Sequence, residues 1–173
     1  MLPIATQHGL DLITYGIYIV TTSWQGKDNG LIANAAFQVT AQPPRLAVCI
    51  NKASLTHELV RHSRHFAVLP LAQSADLPFI GRFGFRTGRT FDKLAGLEFT
   101  REVTGCPLVK AHTLGFIEAE VEQTLDVDTH TLFVGSVRAE ASFQIKDPTP
   151  MTYAYYHSVI KGKTPLGATH SAH

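Results

Sequence analysis

The stretch NGLIANAAFQVTAQPP, Asn29–Pro44, followed by Arg45, the run LAVCIN (46–51) and KASLTHELV (52–60), decides the reading of this chain. Amide and hydroxyl side chains at Asn29, Asn34, Gln38 and Thr40 are interleaved with alanines. That mixture lets backbone approach a flat ring closely while offering it several hydrogen bonds. Pro43 and Pro44 stop a strand expected over Leu31–Thr40, and Leu46–Ile50 begins another, apolar throughout and hence buried on both faces. Ser54 is a natural N-cap for a helix over Leu55–Ser63, with Leu55, Leu59 and Val60 as its apolar stripe. Lys52, Ser54 and Thr56 thus gather a cation, hydroxyls and backbone amides at a helix start, where anions are favoured; a solvated lysine beside an ordinary capping serine is the alternative. A ring-sized pocket beside a phosphate-sized one points to FMN.

Outward from this stretch the chain reads as short β segments with one or two helices. Tyr15–Thr22 (YGIYIVTT) is a strand by its aromatic and β-branched content, and Trp24–Asn29 (WQGKDN) is a turn, so that the two flanking strands form a hairpin. Phe66–Leu71 is the next strand. Ala75–Phe83 gives a helical turn or two before the loop RFGFRTGRT, which exposes its cations. In Thr113–Leu125, Ile117, Ala119 and Val121 alternate with Glu118, Glu120 and Glu122, which predicts a strand with one wet face. The turn DVDTH leads to a strand over Thr131–Ala141, extended or supplemented over Ala141–Ile145. MTYAYYHSVIKGKTP (151–165) is aromatic with helical character. Many short strands without βαβ alternation favour a barrel over a doubly wound sheet, and no GxGxxG marks a Rossmann site.

The 173 residues are expected to form one domain over 1–165 with a flexible tail over 166–173. A net charge of +1 with 17% charged residues offers neither a polybasic surface for nucleic acid nor an acidic tail. No apolar run is long enough for a membrane span, and the start lacks a signal peptide's pattern, so the expected compartment is the cytoplasm. Cys49 and Cys106 form no CxxC pair, which excludes a zinc ribbon, rubredoxin centre or dithiol motif within the chain. Cys49 reads as a buried small hydrophobe. His57, His62 and His65 do not converge on one helix face and miss the HExxH spacing, so no metal is assigned to them. His170 and His173 belong to the tail.

Arg86, Thr87, Arg89 and Lys93 form a second cationic segment that completes the phosphate pocket if it converges on Lys52, and is otherwise a solvated loop. His130 begins a strand, where its imidazole could donate to a ring carbonyl or help place a nicotinamide; a hydrogen-bonded turn histidine is the alternative. Tyr153, Tyr155 and Tyr156 with His157 are either core or a cover over a planar ring.

Together these residues resemble the flavin reductase family with the FMN-binding split barrel, in particular the flavin reductase-like domain of flavoredoxins and high-molecular-weight rubredoxins. The resemblance spans about Gly16–Pro165 and rests on TTSWQGKDNGLIANAAFQVTAQPP, NKASLTHELV, FGFRTGRTFDKLAG, THTLFVGSV and MTYAYYHSVIKGKTP. It implies a mainly β, six-stranded, Greek-key-like barrel with a few short helices, forming a homodimer with one FMN per subunit near the interface. It implies Asn29, Ala33, Asn34, Ala35 and Gln38 along the isoalloxazine and ribityl chain. Lys52, Ser54, Thr56 and Lys93 would lie at or near the phosphate, with Arg86 and Thr87 close by. His130 would lie near the reactive face, with Tyr156 or His157 in the covering segment. Ile32 stands where the family often has threonine, leaving ring hydrogen bonds there to backbone amides. Since rubredoxin-fused members continue after KGKTP into a four-cysteine iron domain, an iron relay for this chain is expected to be a separate protein.

The implied activity is reduction of FMN by NADH or NADPH, with hydride passing to flavin N5 and electrons going on to an oxygenase, iron or a redox protein such as rubredoxin. No arginine pair marks a 2′-phosphate site, which favours NADH. The alternatives are an FMN-holding electron carrier without efficient NAD(P)H oxidation, and a dimeric barrel without flavin.

Overall fold

The structure is a computed structural model that describes residues 9–165 and 168; the tail expected over 166–173 lies, apart from Ala168, outside the described residues. Strands β1 (Tyr18–Trp24) and β2 (Lys27–Ala33) pair antiparallel from Tyr18 opposite Ala33 to Trp24 opposite Lys27. Their turn is only Gln25–Gly26, both with positive φ (49° and 76°), a twist that suits a two-residue hairpin. The turn expected over Trp24–Asn29 is therefore narrower, and Lys27, Asp28 and Asn29 belong to the strand.

After a break at Asn34–Ala35 the chain resumes as β3 (Ala36–Ala41), then β4 (Pro44–Asn51), α1 (Leu55–Ser63) and β5 (His65–Pro70). Helix α1 has the bounds expected from its cap: Ser54 accepts the His57 N–H, and Leu55, Leu59 and Val60 are buried. Asp76 caps α2 (Leu77–Gly84) by accepting the Phe79 N–H at 2.9 Å. The short pair β6 (Phe99–Thr100) and β7 (Leu108–Val109) precedes the long hairpin β8 (Gly115–Val127) and β9 (His130–Ser142). Thr152 then caps α3 (Tyr153–Ser158).

The main sheet runs β2-β1-β5-β8-β9-β4-β3, with all its pairings antiparallel. Its two edges are successive pieces of one segment joined at Asn34–Ala35, so β2 and β3 act as a single strand bent at a corner. Counted that way, six strands meet in a split barrel, joined where β2 runs into β3. Val20, Val48, Ile50, Phe66 and Phe133 fill one core cluster. A second, including Leu69, Phe83, Leu108, Met151 and Tyr156, lies under α2 and α3.

One expectation about β8 is corrected. Glu120 and Glu122 reach solvent, but Glu118 is fully buried. The pairing with β9 shifts between Glu118 and Ala119, which breaks strict alternation. The loop after β6 covers this carboxylate, which accepts the N–H groups of Val103 (2.9 Å) and Thr104 (3.1 Å) and the Thr104 hydroxyl. Among the described residues no helix is long and apolar enough to cross a membrane, and no cluster of three potential metal ligands occurs.

Candidate active site

The barrel's closing corner opens into a pocket of about 650 Å³ including its mouth. Leu31, Ile32, Ala33 and Asn34 form one wall, and Cys49, Ile50 and Asn51 at the end of β4 form the next. Ile80, Gly84 and Phe85 come from α2 and its C-terminus, His130 from the start of β9, and Tyr153 and Tyr156 from α3. Lys163, Thr164 and Pro165 line it as a strap. The Tyr156 hydroxyl donates to the Lys163 carbonyl at 2.9 Å, and the Tyr153 hydroxyl lies 2.6 Å from Thr164 Oγ1.

Most of these walls are apolar, as a flat aromatic ring requires. Asn34 is the exception that points to a ligand: it is 7% exposed, and its amide nitrogen is buried without a hydrogen-bond partner. Such a donor costs stability unless something fills its valence. The carbonyl-bearing edge of a flavin fits it.

Beyond Asn51 the chain passes Lys52 and enters α1; beyond Phe85 it enters the Arg86–Arg89 loop. These two exits converge. Asn29 Nδ2 donates to Thr56 Oγ1 at 3.1 Å, both side chains being buried. A Cβ on Gly88 would overlap the Asn29 amide, so only glycine lets the loop pack there. Arg89 then reaches Glu58 of α1 at 3.1 Å. Arg86 is exposed, with its guanidinium 5.5 Å from the centre of the Phe91 ring, and Thr87 Oγ1 accepts the Arg89 N–H. Ser54 is occupied as the cap, accepting from His57 N and donating to the Asn51 carbonyl at 2.9 Å. It therefore orients the first-turn amides of α1. Lys52 Nζ stands 3.7 Å from Asp126.

Four expected site residues are placed differently. Lys93 is turned inward, 5% exposed, and its ammonium donates to the Phe83 carbonyl at 2.8 Å near the end of α2; burial lowers its pKa to about 8. It holds α2 rather than standing with Lys52. Gln38 is exposed and donates to the Thr40 carbonyl, since β3 has left the pocket wall. Ala35 lies at the corner outside the wall, its carbonyl accepting the Cys49 N–H at 2.9 Å. His157 lies behind the strap, 3.2 Å from Thr164 Oγ1. Ala33, Asn34, His130 and Tyr156 do line the pocket.

Asn51, Phe85 and the strap were missed by sequence reasoning. Asn51 pairs with His130 across β4 and β9, a register the sequence alone does not reveal. His130 Nδ1 lies 2.8 Å from Thr129 Oγ1. Nearby, His57 Nε2 lies 2.8 Å from Thr131 Oγ1, which donates to Asp126 at 2.7 Å. Burial, reinforced by Arg61, lowers the His57 pKa.

The sequence model of the family described as Flavin reductase like domain matches residues 10–162. This chain belongs to that family. Among relatives of this flavin reductase-like chain is a protein of Archaeoglobus fulgidus named Ferric-chelate reductase (NAD(P)H). It is 48% identical over 91% of this chain and 92% of its own. The High molecular weight rubredoxin of Moorella thermoacetica is 44% identical over 92% of this chain and 69% of its own. The crystal structure of flavoredoxin from Methanosarcina acetivorans superposes with a TM-score of 0.74 at 23% identity, covering 87% of this chain and 81% of that one. That likeness bears out the split-barrel fold. The family bears out the resemblance read from the five motifs.

Proposed function

We propose that this flavin reductase-like chain is an NAD(P)H-dependent flavin reductase that binds FMN across the corner of its barrel. The observation that carries this reading is the unpartnered amide of buried Asn34 in a largely apolar pocket. The pocket's two exits meet at the start of α1. Asn34 would donate to the ring edge, while Leu31, Ile32 and Ala33 would back its face. Lys52, Arg86, Thr87 and the first-turn amides of α1 would hold the phosphate, with Asn29 and Thr56 bracing that turn.

When bound, FMN supplies the hydride-accepting chemistry, and NADH or NADPH supplies the hydride. This chain's residues bind, orient and exclude water. His130, partly exposed in the wall, would donate to the ring edge or to the nicotinamide carboxamide. Tyr156 and the strap would cover the mouth. Reduced flavin, or its electrons, would pass to an oxygenase, to iron or to a redox protein, and the name of the Archaeoglobus relative favours iron.

The reading includes a homodimer. Phe37, Leu132, Val134, Leu125 and Val127 lie on one outer face across β3, β9 and β8 by register. Phe37, Leu125 and Val127 are about half exposed or more. This face continues to Cys49 and His130 in the pocket wall, so a second copy seated there would close the site.

The test is steady-state NADH and NADPH oxidation with FMN by the wild type and His130→Ala. The proposal predicts turnover by the wild type, with a lower kcat and FMN affinity within a few fold in the variant. Absence of FMN binding and turnover in the wild type contradicts it.

A further inference from the structure

Cys49 is half-buried in the wall of the ring pocket, not wholly enclosed as its apolar run suggests. Its N–H donates to the Ala35 carbonyl at 2.9 Å, which sets the cysteine across from the residue that follows Asn34. One largely apolar chamber therefore holds a thiol and the unpartnered amide donor of Asn34, itself only 7% exposed. We propose that in the flavin-free protein this chamber is a covalent modification site for flat α,β-unsaturated carbonyl compounds, with Asn34 holding the carbonyl while the Cys49 sulfur adds to the conjugated carbon. The proposal rests on the flavin reading only for the competition between FMN and the electrophile.

The two polar groups and their surroundings select this class. Asn34 Nδ2 lacks an acceptor, which a carbonyl supplies. Leu31, Ile32, Ile80 and Phe85 suit a flat apolar body, and sulfur is the soft nucleophile that a conjugated alkene takes up. Maleimide unites these features. Its two carbonyls flank an N–H, the pattern found on the pyrimidine edge of a flavin, and its alkene lies in the same ring. In the addition an S–C bond forms and the alkene's electron pair shifts toward the carbonyl oxygen, where the Asn34 amide stabilises the developing charge. The proton leaves sulfur and ends on the neighbouring carbon, so the product is a thioether and no oxidant or reductant is consumed.

The same surroundings make the site selective. Burial pushes the Cys49 thiol up, so near neutral pH an unanchored reagent meets little thiolate. A reagent held by its carbonyl stays beside the sulfur and gains from proximity. Cys106, the second of the two cysteines, is fully buried, and burial raises its thiol to about 11, so its labelling reports unfolding. FMN in the ring pocket would cover Cys49. Loss of flavin then opens the protein to modification, and the adduct blocks flavin from returning.

The experiment measures labelling rates of the flavin-free protein with maleimide and with iodoacetamide, which alkylates thiols but is neither cyclic nor conjugated, and locates adducts by peptide mass spectrometry. Cys49 is expected to take one maleimide, at a rate that saturates with maleimide concentration and falls when FMN is added. In Asn34→Leu the maleimide rate is expected to drop roughly tenfold while the iodoacetamide rate holds, with circular dichroism checking the fold. A maleimide rate linear in concentration, or equal effects of Asn34→Leu on both reagents, overturns the proposal. Saturation and FMN protection are read on the wild type, so a variant that fails to fold leaves the test intact. FMN that binds in a fluorescence titration without slowing the labelling overturns the modification site and spares the flavin reading. Saturable, Asn34-dependent labelling of a protein that does not bind FMN supports the site and overturns the flavin reading alone.

Discussion

Asn29 on β2 donates its side-chain amide to the hydroxyl of Thr56 in the first turn of α1, 3.1 Å away, and both are buried. This bond fixes the helix start against the strand that continues into the ring pocket. Thr56→Val keeps the shape but leaves the Asn29 amide buried and unpaired, a change expected to lower stability by about 1–3 kcal/mol. Urea denaturation should show the loss, and Thr56→Ser should recover most of it. An unchanged midpoint for the valine variant would mean the bond contributes nothing.

Phosphate recognition is testable apart from ring recognition. Lys52→Ala with Arg86→Ala should weaken FMN at least tenfold while altering riboflavin affinity little, because charge-assisted contacts to the phosphate are lost and the ring wall is untouched. Flavin fluorescence titrations compare the two ligands. Equal losses would place the phosphate elsewhere.

Burial of Lys93 has a pH signature. Its pKa falls from 10.5 to about 8 on folding, so the native protein releases this proton before the unfolded chain does. Between those values the unfolded chain binds more protons, and this group's contribution therefore makes stability rise with pH. Its penalty is fully present below about pH 8 and amounts to roughly 3 kcal/mol relieved by pH 10.5. The stability difference between wild type and Lys93→Met should shift toward the wild type over this window, as measured by denaturation at each pH. A pH-independent difference would contradict the assignment.

The strap is held by fit against Tyr156. A Cβ at Gly162 would fall within the Tyr156 ring, and the Gly162 N–H donates to the Tyr156 carbonyl at 2.9 Å. Gly162→Ala should therefore displace the strap or the ring, weakening FMN binding several fold with little change in the barrel's midpoint. Unaltered flavin affinity would remove the strap from the site.

How far the sequence reaches can be argued from particular residues. Helix α1 was legible to the residue because its signals are local: a serine cap, an apolar stripe and a preceding strand. The same local signals place Lys52, Ser54 and Thr56 at the start of α1. The ring pocket was legible only in Ala33, Asn34, His130 and Tyr156, since its remaining walls come from elements far apart in sequence. Lys93 and Glu118 show the limit. Charge suggests solvent, and only the tertiary partners, the Phe83 carbonyl for one and the Val103–Thr104 amides for the other, make burial tolerable. Barrel closure was likewise invisible locally, because β2 and β3 are one run whose bend at Asn34–Ala35 is set by pairing with β1 on one side and β4 on the other.

The most direct test of the central claim is an anaerobic absorbance trace of the purified protein with FMN, mixed rapidly with NADH and, in a fresh sample, with NADPH. The flavin reductase account predicts prompt loss of the oxidised flavin band with at least one nicotinamide, slowed in His130→Ala. Bound flavin that stays oxidised with both would contradict it, and would leave a protein that holds FMN but takes its electrons from another donor.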